Sequence, residues 1–217
     1  AADRLGIAVM GPNCAGFANF VDGIFAFAFL VEERERGGNI GMISQSGQIV
    51  LGGLDSPNMG FSHVISSGNS CNVKVEDYLD FLVDDEDTKV VAAYMEGVTK
   101  PEKLVAAFQK AALKKKPVVV LKTGRSAKSQ ELAKSHTGSL SGADKVLRAV
   151  FKRYGVVEAG DLEELMSLAA AFSWLEELPK GERCVFMNVS GGEAGVMADL
   201  SEEYGIRLAE MQQETKA

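Results

Sequence analysis

The chain has 217 residues, 46% of them hydrophobic and 24% charged, with only five prolines, so it can build one large or two small cored domains and is not a disordered segment. Its net charge of −7 excludes a general nucleic-acid surface, and no apolar run is long enough to span a bilayer. Cys14, Cys71 and Cys184 are odd in number, widely spaced and form no CxxC, which excludes a disulfide framework or a zinc site and fits a reducing, cytoplasmic setting.

The chain begins without Met and runs at once into Gly6-Ile7-Ala8-Val9-Met10, which reads as a fragment whose upstream part is missing; Ala1 to Leu5 is not a basic leader into an apolar stretch. Gly11-Pro12-Asn13 is a turn signal. Phe17 to Leu30 is apolar without clean periodicity and reads as an irregular connection, with at most a strand around Ile24 to Phe29. From Asn39 the pattern is strand, helix, strand, helix. Apolar runs at Ile40–Ser44, Val64–Ser66, Val90–Met95 and Pro117–Lys122 alternate with helices starting near Gly47, Val75 and Pro101, the last with proline at its first position. Such alternation predicts a parallel sheet covered on both faces. A helix over Gly142–Tyr154 and a short strand at Val156-Val157 close this unit near residue 158. Asp161, with Glu164 three residues on, caps a helix to about Leu178. Cys184–Val189, a helix from Ser190-Gly191-Gly192 to Tyr204, and Ile206–Leu208 begin a second α/β unit too short to bury a sheet.

In open α/β sheets, ligands bind outside the carboxyl ends of the strands. Those ends carry Ser44-Gln45-Ser46-Gly47, Ser67-Gly68-Asn69, Glu96-Gly97 and Gly124-Arg125-Ser126. Ser46-Gly47 opens a helix, where free N–H groups and the helix dipole favour an anion, although such a pair is also an ordinary cap. Between Thr123 and Ser141 runs a polar loop carrying His136, one of two histidines in the chain. Loops of this length in compact domains are usually functional, and a histidine on one is placed to reach a reactant; a solvent-exposed surface histidine is the plain alternative. Glu96 is positioned to accept the second ring N–H of a histidine and orient it, or else to sit as a solvated strand end. Lys110 to Lys134 holds seven lysines and Arg125 against Glu131 alone, an anion-attracting surface or a solvated helix end and loop.

Gly11-Pro12-Asn13-Cys14, Ser44-Gln45-Ser46-Gly47, Ser66 to Asn69, Asp84-Asp85 with Thr88, Tyr94-Met95-Glu96-Gly97, Lys122-Thr123-Gly124-Arg125-Ser126 and Ser135-His136-Thr137-Gly138-Ser139 through Gly142 occur in the order found in the NDP-forming acyl-CoA synthetases, relatives of succinyl-CoA synthetase. The chain resembles that family most clearly from Gly11 to Tyr154, with a weaker match through Asn188–Gly192. Ser141 stands where alanine is common and Ala15 where leucine is common.

The resemblance implies an α/β, flavodoxin-like parallel sheet over 37–158, preceded by a connector over 1–36 from a CoA-binding domain and followed by a partial second flavodoxin-like domain over 159–217. It implies an acid–thiol ligase fragment that is expected to be inactive alone, because two parts of the family's machine are missing from it. His136 would carry a phosphoryl group and Glu96 would orient it. Ser44, Gln45, Ser46 and Gly47 would bind phosphate, and Gly68 and Asn69 would bind substrate. CoA and ADP/ATP with Mg2+ would be held mainly by a CoA-binding domain and a nucleotide-grasp domain or subunit, neither visible here: no GxGxxG occurs in the chain. The expected partners are those domains, a small acyl substrate and a homo- or hetero-oligomer, with no nucleic acid and no membrane. A non-catalytic anion-binding or partner-binding module on the same fold is the alternative.

Overall fold

The computed structural model describes residues 2–29, 37–57, 59–124, 144–177, 179–211 and 214. Two compact units divide at residue 175. In the first, the elements are α1 (Ala2–Leu5), β1 (Gly16–Asn19), β2 (Ile24–Phe27), β3 (Ile40–Ser44), α2 (Gly47–Leu54), β4 (Phe61–Ser66), α3 (Val75–Asp84), β5 (Val90–Met95), α4 (Pro101–Lys114), β6 (Val118–Lys122), α5 (Asp144–Tyr154), β7 (Val157–Ala159) and α6 (Leu162–Trp174).

Successive side chains on a strand point to opposite faces, so a strand covered on both sides is buried at every residue. β3, β4, β5 and β6 all are. On β5, Val90, Ala92 and Tyr94 join a core with Val50 and Leu54 of α2 and Leu165, Met166 and Ala169 of α6. Val91, Ala93 and Met95 face a second core built with Leu79 and Leu82 of α3, Leu104 and Phe108 of α4, and Phe151 of α5.

The sheet order is β2-β1-β4-β3-β5-β6-β7. From β4 to β7 every pairing is parallel. Counted from β3, these strands follow the 2-1-3-4-5 order of flavodoxin-like proteins, and strand order reverses between β3 and β5. The expected fold is therefore present, with three differences in its limits. Residues 16–27 are more than a connector: β1 pairs antiparallel with both β2 and β4, so this hairpin is part of the sheet. Gly16-Phe17-Ala18-Asn19 is too short and mixed to show period two, and only Ala18 is fully buried. The boundary expected at 158 also falls short, because α6 covers the face of β5 and β6 that α2 alone leaves bare. Finally, the strand expected at Val64–Ser66 begins earlier, at Phe61, and so takes in His63.

The second unit holds β8 (Arg183–Cys184), α7 (Gly191–Glu203) and β9 (Arg207–Leu208). Its two strands pair in parallel, as a βαβ unit requires. The strand expected to run to Val189 stops at Cys184. A ladder extends only as far as its partner, and β9 offers two residues. Val185, Phe186, Met187 and Val189 are exposed beyond it. Among the described residues no helix is long and apolar enough to cross a membrane.

Candidate functional site

The carboxyl ends of β3, β4 and β5 meet where the strand order reverses, the place where an open parallel sheet leaves a crevice. A cavity of about 320 Å3 lies there, lined by Asn13, Cys14, Ala15, Ala28, Phe29, Gln45, Ser46, Gly47, Gln48, Asn69 and Glu96.

Its floor is the start of α2. Ser46 is the extended N-cap, and its Oγ accepts from the Ile49 N–H at 3.5 Å. The Val50 N–H goes to the Ser46 carbonyl at 3.3 Å. The first helical N–H groups have no intrahelical acceptor, and those of Gly47 and Gln48 are left with none among the described residues. Both residues line the cavity, so it lies at the positive end of the helix dipole, where free amides favour an anion. The fold does not demand glycine at 47: a Cβ there would meet Ala15 Cβ at 3.6 Å and Ser66 Oγ at 3.8 Å, ordinary contacts. The missing side chain instead leaves room above the amides. Ser44 is fully buried and outside the cavity wall. Its Oγ donates to the Ser46 carbonyl at 2.7 Å and accepts from the Ser46 N–H at 3.0 Å, fixing the approach to the cap.

Glu96 also lines the cavity, half-buried just past β5. Its backbone is clamped from below: Gln45 Oε1 accepts from the N–H of Glu96 at 2.6 Å and of Gly97 at 3.0 Å. The Lys122 ammonium donates to the Glu96 carbonyl at 2.8 Å and also to the Thr123 carbonyl. The Tyr94 hydroxyl lies 3.4 Å from Glu96 Oε1 and 3.1 Å from Thr123 Oγ1. Burial, ahead of the neighbouring Glu96, holds the Tyr94 phenol above its ordinary value.

The third wall is the turn before β1. Gly11–Pro12 is a cis peptide, and Asn13 is left-handed at φ 53. The turn packs on the end of β4: the Asn69 N–H donates to the Pro12 carbonyl at 2.9 Å and the Cys71 N–H to the Gly11 carbonyl at 2.7 Å. Gly68, at φ +55, allows this approach, since a Cβ would lie 2.3 Å from the Asn13 carbonyl oxygen and 2.6 Å from that of Pro12.

Of the residues expected at the site, Gln45, Ser46, Gly47, Asn69 and Glu96 share this cavity, while Ser44 and Gly68 support it from behind. His136 lies outside the described residues. The other histidine, His63, is buried and does not line the cavity, with Nδ1 3.3 Å from Asp85 Oδ2 and its ring edge-on to Phe81. Asn13 and Cys14 were legible as part of a matching motif but not as a wall. Ala28 and Phe29 carried no signal, because their place depends on the β1–β2 hairpin. Among the described residues there is no group of three or more His, Cys, Asp or Glu side chains that could hold a metal, and the three cysteines are free thiols.

The family described as the succinyl-CoA ligase like flavodoxin domain matches residues 37–172. Among curated proteins, the alpha subunit of an ADP-forming acetate–CoA ligase II from Pyrococcus furiosus is 36% identical over 99% of this chain and 46% of its own length. An ADP-forming acetate–CoA ligase from Methanocaldococcus jannaschii is 37% identical over 99% of this chain and 30% of its own. A solved structure of a Candidatus Korarchaeum cryptofilum acetyl-coenzyme A synthetase 1, in complex with phosphate and ADP, superposes with a TM-score of 0.84 at 29% identity, covering 98% of this chain and 46% of that one. The chain thus spans less than half the length of each of these proteins.

Proposed function

Because the chain belongs to the family of the succinyl-CoA ligase like flavodoxin domain, we propose that it is the phosphoryl-relay part of an NDP-forming acyl-CoA synthetase. The observation that carries this reading is the cavity itself. Gly47 and Gln48, which open α2, and Glu96, which follows β5, line it together, and the sequence runs on from β6 to His136.

In this reading acyl-CoA and inorganic phosphate exchange to give an acyl phosphate and free CoA. The phosphate oxygens sit on the Gly47 and Gln48 amides, where positive backbone charge is already oriented. A neutral ring nitrogen of His136 attacks phosphorus, the P–O bond to the acyl group breaks, and the acid leaves as its carboxylate. Glu96 accepts the other ring N–H, so the imidazole keeps one tautomer and gains nucleophilicity. A terminal oxygen of the nucleoside diphosphate then attacks phosphorus, the P–N bond breaks, and neutral imidazole is restored. Phosphoryl transfer of this kind rests on positioning and charge stabilisation, which these residues supply. Mg2+ accompanies the nucleotide and CoA brings the thiol; both are held, in this proposal, by residues beyond this chain's 217, on the same polypeptide or on a partner subunit.

The test is phosphorylation of the complete enzyme from labelled ATP. The label should be acid-labile and base-stable and should vanish with His136→Ala. Glu96→Gln should slow transfer roughly 10²–10⁴-fold. Undiminished label in the His136→Ala protein would end the relay.

A further inference from the structure

The carboxylate that orients the histidine must itself be held, and a glutamate side chain has three rotatable bonds. Resting on the relay above, we propose that Tyr94 is the positioning residue for Glu96, with Thr123 fixing the phenol from its other side.

The end of β5 places it. Tyr94 is the last but one residue of β5 and Glu96 follows the strand directly, and the 3.4 Å contact brings the two side chains together at its carboxyl end. The Tyr94 ring is locked in the core with Leu121, Val50 and Leu54 and is only 8% exposed. It therefore presents its hydroxyl from a fixed base at the sheet edge. That hydroxyl has two oxygen neighbours, Glu96 Oε1 at 3.4 Å and Thr123 Oγ1 at 3.1 Å. An ionised carboxylate can only accept, whereas a threonine hydroxyl can donate. One arrangement satisfies all three groups: Thr123 donates to the Tyr94 oxygen, and Tyr94 donates its single proton to Glu96. Burial keeps the phenol neutral, so the donor persists across the working pH range. The backbone at the same point is already pinned by Gln45 and Lys122. Tyr94 constrains the carboxylate end that these contacts leave to rotate.

The two residues also join the ends of β5 and β6. The Thr123 N–H donates to the Met95 carbonyl at 3.0 Å, so the phenol's anchor is rigid with the strand that carries Glu96. At 3.4 Å the Tyr94–Glu96 contact is long for O–H···O, and the expected effect is modest.

The complete enzyme separates this from a packing role. Tyr94→Phe keeps the ring, so its melting temperature should stay within a few degrees of wild type. Phosphoenzyme formation should slow about 3–10-fold, what the loss of one long hydrogen bond of ordinary net strength gives, while KM for phosphate changes less than about twofold. Thr123→Val should slow it by a smaller factor. In the Glu96→Gln background neither substitution should slow it further, because residues acting through one group are not additive. Tyr94→Phe at wild-type rate, or a slowing that multiplies with that of Glu96→Gln, overturns the inference and leaves the relay intact. A Glu96→Gln enzyme at full speed overturns Glu96's part in the relay and this inference with it.

Discussion

Gly68→Ala tests how the cavity is walled, because the residue shapes the site without facing it. The added methyl would sit 2.3 Å from the Asn13 carbonyl oxygen and 2.6 Å from that of Pro12, both backbone atoms that cannot swing aside. The residue also sits at φ +55, which costs an L-residue roughly 1–2 kcal/mol. Relieving the clash means moving the Gly11–Asn13 turn off the end of β4. That lengthens the 2.9 Å bond from Asn69 N–H to Pro12, worth about 1 kcal/mol net. Together these give a loss of about 3 kcal/mol, or a fall in melting temperature of roughly 6–12 °C for a unit of this size. Circular dichroism melts would read the stability, and phosphate titration of the folded variant would read the retracted wall as weaker binding. Gly47→Ala is the matched contrast. Its methyl meets only ordinary contacts in the protein, so melting should hardly change while phosphate binding weakens. A Gly68→Ala protein that melts within 1 or 2 °C of wild type (roughly 0.5 kcal/mol) would refute the packing argument.

Gln45→Ala should strand the Glu96 and Gly97 amides and cost about 1–3 kcal/mol in a chemical melt, whereas Gln45→Glu, which keeps an acceptor, should recover most of it. Leu165→Ala removes a fully buried side chain of α6 and should cost about 2–5 kcal/mol if α6 covers the first sheet; a loss below about 1 kcal/mol would return α6 to the second unit. Lys110 and Lys114 beside Asp84 hold its carboxyl down to about 2, below the unfolded value near 3.9. The contribution is therefore complete above the unfolded value and lost as pH falls from about 4 towards 2. The melting difference between wild type and Asp84→Asn should narrow over that interval; a gap independent of pH would contradict it.

The central sheet was legible because strands buried on both faces are written as unbroken apolar runs, as Val118–Leu121 is. The start of α2 was legible as a candidate anion site because Ser46-Gly47 opens a helix, a place such a pair also fills as an ordinary cap. The hairpin was not: Gly16–Asn19 draws its place from pairing with β4, a contact between residues some fifty positions apart, and nothing local announces it. For Ser44 and Gly68 the resemblance implies binding roles, and only packing shows that both lie behind the cavity wall. α6 was assigned to the wrong unit for a related reason. Its N-cap Asp161 fixes where the helix begins, but its apolar stripe does not say which sheet it covers.

The antiparallel attachment of β1 to β4 bears on how this domain can be excised. A chain trimmed to the family-matched span, residues 37–172, would lack both strands of the hairpin. β4 would then be the outermost strand, with the pairing groups now spent on Gly16–Asn19 turned to water. It is buried along all six residues and includes Phe61, Val64 and Ile65, without a lysine or proline to blunt it. Bare, apolar strand borders of this kind recruit other chains. Such a trimmed chain should self-associate or precipitate, and restoring residues 16–27 should return it to solution.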